Sequence, residues 1–228
     1  MRGPVPWCVL PVKRRSAAKQ RLAGVLSLEE RAGLMEAMLA DVVDALATVR
    51  GLAGVMLVSG DAGFRAFGRA RGLRVLDDPV DRGTAAAVSM AAAGLARQGA
   101  ASLFVIHADL PLVTPAAIEA VLATSEDGRA LTLVPDAERR GTNALLARPI
   151  DVVPFCFGED SFRRHREAAI AAGVHAAVLD LPDLAHDIDR PEDLAALVGG
   201  RGATAAWYAQ AGLAARITRV AATAEAVR

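Results

Sequence analysis

The stretch from Ser102 to Leu112 reads Ser-Leu-Phe-Val-Ile-His-Ala-Asp-Leu-Pro-Leu, an apolar run that ends on an aspartate and a proline turn. A run without polar alternation is what a strand covered on both faces looks like. The same kind of run recurs at Pro6 to Val12, Val55 to Ser59, Leu73 to Leu76, Ala130 to Val134 and His175 to Leu181. Segments with helical periodicity lie between them. Ser27 and Glu30 make a capping box, and Met35, Met38, Val42, Leu46 and Val49 follow at steps of three and four, up to a stop at Gly51. Further helices are expected over Ala62 to Ala70, Thr84 to Arg97, Pro115 to Ala123, Ser161 to Ala172 and Pro191 to Val198.

Strands that alternate with helices predict an α/β fold built on a single, mostly parallel sheet with helices on both faces. Two short runs, Asn143 to Leu146 and Val152 to Phe155, have no helix between them and are expected to form a small antiparallel flap beside that sheet. The expected domain spans residues 1–200. Residues 201–228 form a tail whose helix, Ala205 to Val220, could pack on its own domain or on a second copy in a homodimer.

The 228 residues carry 26 basic and 26 acidic side chains, so no overall field points to nucleic acid or an acidic membrane. No stretch reaches the roughly 20 apolar residues a bilayer span needs, and the basic cluster follows the first apolar run, the reverse of a secretory signal. A cytoplasmic protein is expected. Cys8 and Cys156 lack metal-ligand or redox spacing and read as core thiols of a reducing compartment.

In an open parallel sheet, ligands bind beyond the carboxyl ends of the strands, so the residues after each apolar run carry the functional reading. After the first run come Lys13, Arg14, Arg15, Lys19 and Arg21, five cations in nine residues. Such a loop can wrap a polyphosphate, and it is also what a solvated surface loop looks like. Asp109, held by a rigid proline turn, suits magnesium or caps the turn. After the last run, Asp187 and Asp189 are two apart in extended chain and face the same side; Asp189 either joins Asp109 in a magnesium clamp or caps the helix that starts at Pro191. Gly83 and Thr84 offer backbone amides at a helix start. The loops around Thr142 and around Gly158 and Ser161 offer small residues and amides of the kind that hold a carboxylate or phosphate, or else ordinary turns. No pair among His107, His165, His175 and His186 has zinc spacing, and none is assigned a catalytic role.

Taken together, PVKRRSAAKQRL, ADLPL, RRGTNALL, FGEDSFRRH and DIDRPEDL resemble the 2-phospho-L-lactate and phosphoenolpyruvate guanylyltransferases of coenzyme F-420 biosynthesis. The matches span Pro11 to Leu194. The resemblance implies the nucleotide-diphospho-sugar transferase-like, Rossmann-like doubly wound fold. It implies GMP transfer from GTP to phosphoenolpyruvate, 2-phospho-L-lactate or 3-phosphoglycerate, with Mg²⁺ on Asp109 and Asp189. It implies a nucleotide contacted by Pro11, Lys13, Lys19, Gly83 and Thr84, with Lys13, Lys19 and Arg21 neutralising the triphosphate, and an acceptor held by Thr142, Gly158 and Ser161. The chain departs from the family at Thr84-Ala85-Ala86, where an asparagine is usual, and at His107, where a proline is usual. The alternatives are a molybdenum-cofactor or sugar-phosphate nucleotidyltransferase and a non-catalytic nucleotide-binding protein.

Overall fold

The computed structural model describes residues 5–17, 19–124 and 128–213. Seven strands form one sheet: β1 (Trp7–Pro11), β2 (Gly54–Ser59), β3 (Arg74–Asp77), β4 (Leu103–Ile106), β5 (Ala130–Pro135), β6 (Thr142–Arg148) and β7 (His175–Val178). Their order is β3-β2-β1-β4-β6-β5-β7. All pairings are parallel except those of β6, which runs antiparallel to both β4 and β5. Helices α1 (Leu28–Thr48), α2 (Ala62–Ala70), α3 (Thr84–Ala96), α4 (Pro115–Ala123), α5 (Ser161–Ala171), α6 (Pro182–Ala185) and α7 (Gly202–Gln210) complete the layers.

Successive strand residues point to opposite faces, and the core divides accordingly. Cys8, Leu10, Phe104 and Ile106 join Leu34, Met38 and Val42 of α1 and Ile118 of α4 on one face. Val9, Leu103, Val105 and Leu133 join Val88 and Leu95 of α3 and Phe162 of α5 on the other. The sheet is therefore doubly wound, as the alternation of runs and helices predicts. The capping box that starts α1 is formed: the Glu30 amide donates to Ser27 Oγ, and the Ser27 amide donates to the Glu30 carboxylate.

The antiparallel element is present but is not a flap at the side. β6 lies inside the sheet between β4 and β5, and Val152 to Phe155 forms no strand. The physical reason is burial on both faces: Thr142 to Ala147 is covered throughout, which only a central strand achieves. Reversal has a functional consequence, because β6 begins where its parallel neighbours end. Ile106 pairs with Ala144 and Pro135 with Thr142, so Thr142 and Asn143 sit at the carboxyl edge.

Two other expectations change in detail. Pro191–Leu197 is a 3-10 turn rather than an α-helix; it is short, and the Asp193 carboxylate ties its start by accepting from the Asp189 and Arg190 amides. The tail helix begins at Gly202, where the Asp41 carboxylate caps the Ala203 and Thr204 amides. Trp207 of α7 packs over Gly33 of α1, where a Cβ would come within 2.7 Å of the indole Nε1. The part of the expected Ala205 to Val220 helix beyond residue 213 lies outside the described residues. Cys8 is buried as expected, whereas Cys156 is only partly covered. Among the described residues no helix is long and apolar enough to cross a membrane.

Candidate active site

The carboxyl edge collects acidic residues that are far apart in the chain. Asp109 leaves β4, and its carbonyl accepts from the Ile188 amide at 3.2 Å. Ile188 is fully buried, so its neighbours Asp187 and Asp189 turn the other way, as their spacing predicts. Carboxylate oxygens of Asp109, Asp187 and Asp189 all lie within 4.8 Å of one another. Asn143, one of the two residues brought to this edge by β6, donates to the Leu184 and Ala185 carbonyls at 2.9 and 3.3 Å and approaches Asp187 Oδ1 at 3.4 Å. It fixes the segment that carries the second and third carboxylates.

Lys19 enters this cluster from the loop after β1. Its side chain is only 4 % exposed, and Nζ donates to Asp109 Oδ2 at 2.6 Å and to Asp189 Oδ1 at 2.7 Å. Burial disfavours the ammonium, but the two carboxylates outweigh it and raise its pKa above the ordinary lysine value. Burial likewise works against the Asp109 carboxylate, yet Lys19 and then His107 hold its pKa down at about 2. Asp187 behaves oppositely: burial, then Asp109 and Asp189, push it up to about 6. A site where one carboxylate is strongly ionised and its neighbour is reluctant to ionise is short of positive charge.

The donor set fits a hard divalent cation. Three carboxylates converge, Asp109 Oδ1 is buried without a hydrogen-bond partner, and a cationic ammonium already settles between two of them. A cleft of about 240 Å³ opens beside the cluster, lined among others by Arg21, Arg140, Asp187, Asp189 and Arg190.

The five cations after β1 do not act as one patch. Arg14 reaches Asp81 and the Pro79 carbonyl, which ties this loop to the one before α3. Arg15 is taken by Glu36 and Asp61. Lys19 and the exposed Arg21, 3.4 Å from Asp189, pair with the acidic cluster, and the exposed Lys13 lies close enough to act on His107. Pro11 closes β1. Gly83 adopts φ +93°, a conformation that favours glycine, and no side chain caps the α3 amides that begin at Thr84. The first amides of a helix lack partners within it and lie at its positive end.

Thr142, Gly158 and Ser161 come together beside Phe157 and Phe162, which pack on the sheet face opposite Leu184 and Ile188. Thr142 begins β6, Ser161 begins α5, and Gly158 lies in the loop before it with φ +122°. His165, one turn along α5 from Ser161, joins them: its Nδ1 is 3.0 Å from Thr142 Oγ1, and its Nε2 accepts from the Cys156 amide at 2.9 Å. Phe157 meets the His165 ring edge-on at 4.9 Å and packs against His107 at 5.5 Å. Since His107 stands two residues before Asp109 and its amide donates to the Asn143 carbonyl at 3.0 Å, the small-residue group and the acidic cluster adjoin. The arrangement sets a group of small and hydroxyl-bearing residues next to a cluster of carboxylates.

Asn143 and His165 were not singled out by the sequence. Asn143 was hidden in what read as turn chemistry, and His165 in an arginine-rich helix. The one available signal was spacing: Ser161, His165 and Ala169 recur at steps of four on a buried face.

The profile of the family described as "Guanylyl transferase CofC like" matches residues 7–224. The phosphoenolpyruvate guanylyltransferase of Rubrobacter xylanophilus is 40% identical over 196 residues, covering 86% of this chain and 95% of that protein. The 3-phospho-D-glycerate guanylyltransferase of Phenylobacterium zucineum is 35% identical over 197 residues, covering 84% of this chain and 89% of that protein. A crystal structure from Desulfovibrio desulfuricans G20, described as a nucleotide-diphospho-sugar transferase, matches with a TM-score of 0.75 at 17% identity over 94% of this chain and 98% of that one. That likeness establishes the fold.

Proposed function

The chain belongs to the family of CofC-like guanylyltransferases, and from that premise we propose that it transfers GMP from GTP to a small phosphorylated carboxylic acid, releasing pyrophosphate, as a step in coenzyme F-420 biosynthesis. The observation that carries the reading is the convergence of Asp109, Asp187, Asp189 and Lys19 beside a cleft lined by Arg21 and Arg140. Phosphoenolpyruvate stands first among the acceptors, because the relative at 40% identity is named for it and the one at 35% for 3-phospho-D-glycerate; 2-phospho-L-lactate is the third. GTP as donor and the unpaired Cys8 and Cys156 are consistent with a cytoplasmic enzyme.

In this reading an acceptor phosphate oxygen attacks the α-phosphorus of GTP. One phosphorus–oxygen bond forms, the bond to the β-phosphate oxygen breaks, and the electron pair leaves with pyrophosphate. The nucleophile is already ionised, so no side chain has to remove a proton. The difficulty is bringing two polyanions together. Asp109, Asp187 and Asp189 would hold Mg²⁺, which when bound supplies positive charge to the phosphate oxygens of both substrates. Lys19, with Lys13 and Arg21, would neutralise the triphosphate. Pro11, Gly83 and Thr84 border the nucleotide, the latter two with backbone amides. Thr142, Gly158 and Ser161 orient the acceptor.

The test is to mix the protein with GTP, magnesium and each of the three acids in turn and to measure pyrophosphate. Release is expected with at least one acid, and silence with all three refutes the reading. Asp109→Asn is expected to lose turnover by about a hundredfold or more while its far-ultraviolet circular dichroism stays unchanged. Near-normal activity in that variant would remove the metal-binding role.

A further inference from the structure

Resting on the reading that Thr142, Gly158 and Ser161 hold the acceptor, the geometry points to His165 as the positioning residue of that site: one buried imidazole bonds Thr142 on one side and the Cys156 to Gly158 loop on the other, from one turn beyond Ser161.

His165 is fully buried, and both ring nitrogens are engaged. The Cys156 amide lies 2.9 Å from Nε2. An amide N–H only donates, so Nε2 holds a lone pair and the proton of the neutral ring is on Nδ1. Nδ1–H is thereby left between Thr142 Oγ1, 3.0 Å away, and the Ser161 backbone. The hydroxyl accepts from the ring and directs its own proton elsewhere. A doubly protonated ring would set two N–H groups against each other at Cys156. Burial keeps that form out of reach, with the pKa lowered to about 4 in spite of the hydrogen bond to the Ser161 backbone.

The three pieces so joined have no continuous secondary structure between them. Thr142 belongs to β6, residues 154 to 157 run without regular hydrogen bonding, and Ser161 opens α5. A loop of that kind has many near-equal conformations unless specific bonds select one. Here the selecting contacts are the Cys156 amide bond to Nε2 and the edge-on packing of Phe157 at 4.9 Å. His165 touches none of Asp109, Asp187, Asp189 or Lys19 by any hydrogen bond the described residues make, so its influence should be confined to the acceptor.

Three variants separate the two bonds. His165→Asn keeps a donor near the Nδ1 position, His165→Gln keeps an acceptor near the Nε2 position, and His165→Phe keeps the ring shape and neither bond. Steady-state pyrophosphate assays measure KM for GTP and for the phospho-acid that the unaltered protein uses. Losing one hydrogen bond should raise the acceptor KM by about tenfold in the Asn and Gln variants, and losing both by about a hundredfold in the Phe variant. KM for GTP should stay within about twofold throughout. A merely structural role would instead lower the active fraction, and so kcat, with both KM values unchanged. The inference is overturned if the acceptor KM of the folded variants stays within about twofold of the unaltered protein, or if both KM values rise together. Circular dichroism and thermal midpoints establish folding, and if the Phe variant does not fold, the Asn and Gln variants decide. Turnover by the unaltered protein tests the functional reading separately; with no turnover on any acid, that reading fails and takes this inference with it.

Discussion

Acidification from pH 7.5 to 5 should cost the folded protein about 2 kcal/mol through His165 alone. The imidazole pKa is depressed from 6.5 to about 4 by burial first, with smaller contributions from Arg164 and His107. Between those values the unfolded chain binds a proton that the native ring refuses, so stability rises with pH. The contribution is fully present above 6.5 and is lost as pH falls toward 4. At about 1.36 kcal/mol per pH unit the loss amounts to roughly 3 kcal/mol when complete, of which about 2 kcal/mol falls above pH 5. Other groups titrate in the same window; Asp187, raised to about 6, has the opposite sign. The assay therefore compares urea unfolding of the unaltered protein with that of His165→Asn at a series of pH values. Asparagine does not titrate, and the shared contributions cancel. The unaltered protein should be the more stable at pH 7.5, and the gap should shrink by about 2 kcal/mol by pH 5. Parallel curves would refute the claim that the ring is held neutral by burial.

Lys19→Met leaves Asp109, Asp187 and Asp189 facing one another without their internal cation. In the presence of a chelator it should cost about 3 kcal/mol, read by urea unfolding. Added magnesium should then raise its thermal midpoint by more than that of the unaltered protein; equal shifts would show that Lys19 and the cation do not share a place. Gly54→Ala puts a Cβ within 2.6 Å of the Trp7 ring. The clash should cost about 1 to 3 kcal/mol in urea unfolding while leaving pyrophosphate release in the absence of denaturant unaffected. An unshifted midpoint would mean that the indole moves aside freely.

Much of the fold could be read along the chain because each element announces itself locally. The capping box at Ser27 and Glu30 and the apolar steps from Met35 to Val49 specify α1 whatever it packs against. The uninterrupted run Leu103–Ile106 specifies a doubly covered strand. The acidic cluster was legible for a similar reason: strand ends are where an open sheet exposes polar groups, and the spacing of Asp187 and Asp189 puts both on the side opposite Ile188. Asp187 was visible as a partner of Asp189, though the expected clamp held only Asp109 and Asp189. What misled was the run Asn143 to Leu146, too short for its local pattern to distinguish an edge flap from a central strand.

By itself the sequence determined the α/β layering, the sites where chemistry-bearing loops emerge and, through its motifs, the family. These depend on periodicity and local order, which survive in one dimension. The tertiary structure decided what depends on neighbours: that β6 inserts between β4 and β5, that Lys19 meets Asp109 and Asp189 across 90 and 170 residues, and that His165 joins Thr142 to the Cys156 loop. Strand order, ion pairs across the chain and the partners of a buried ring are set by packing free energy in three dimensions, and no local pattern records them.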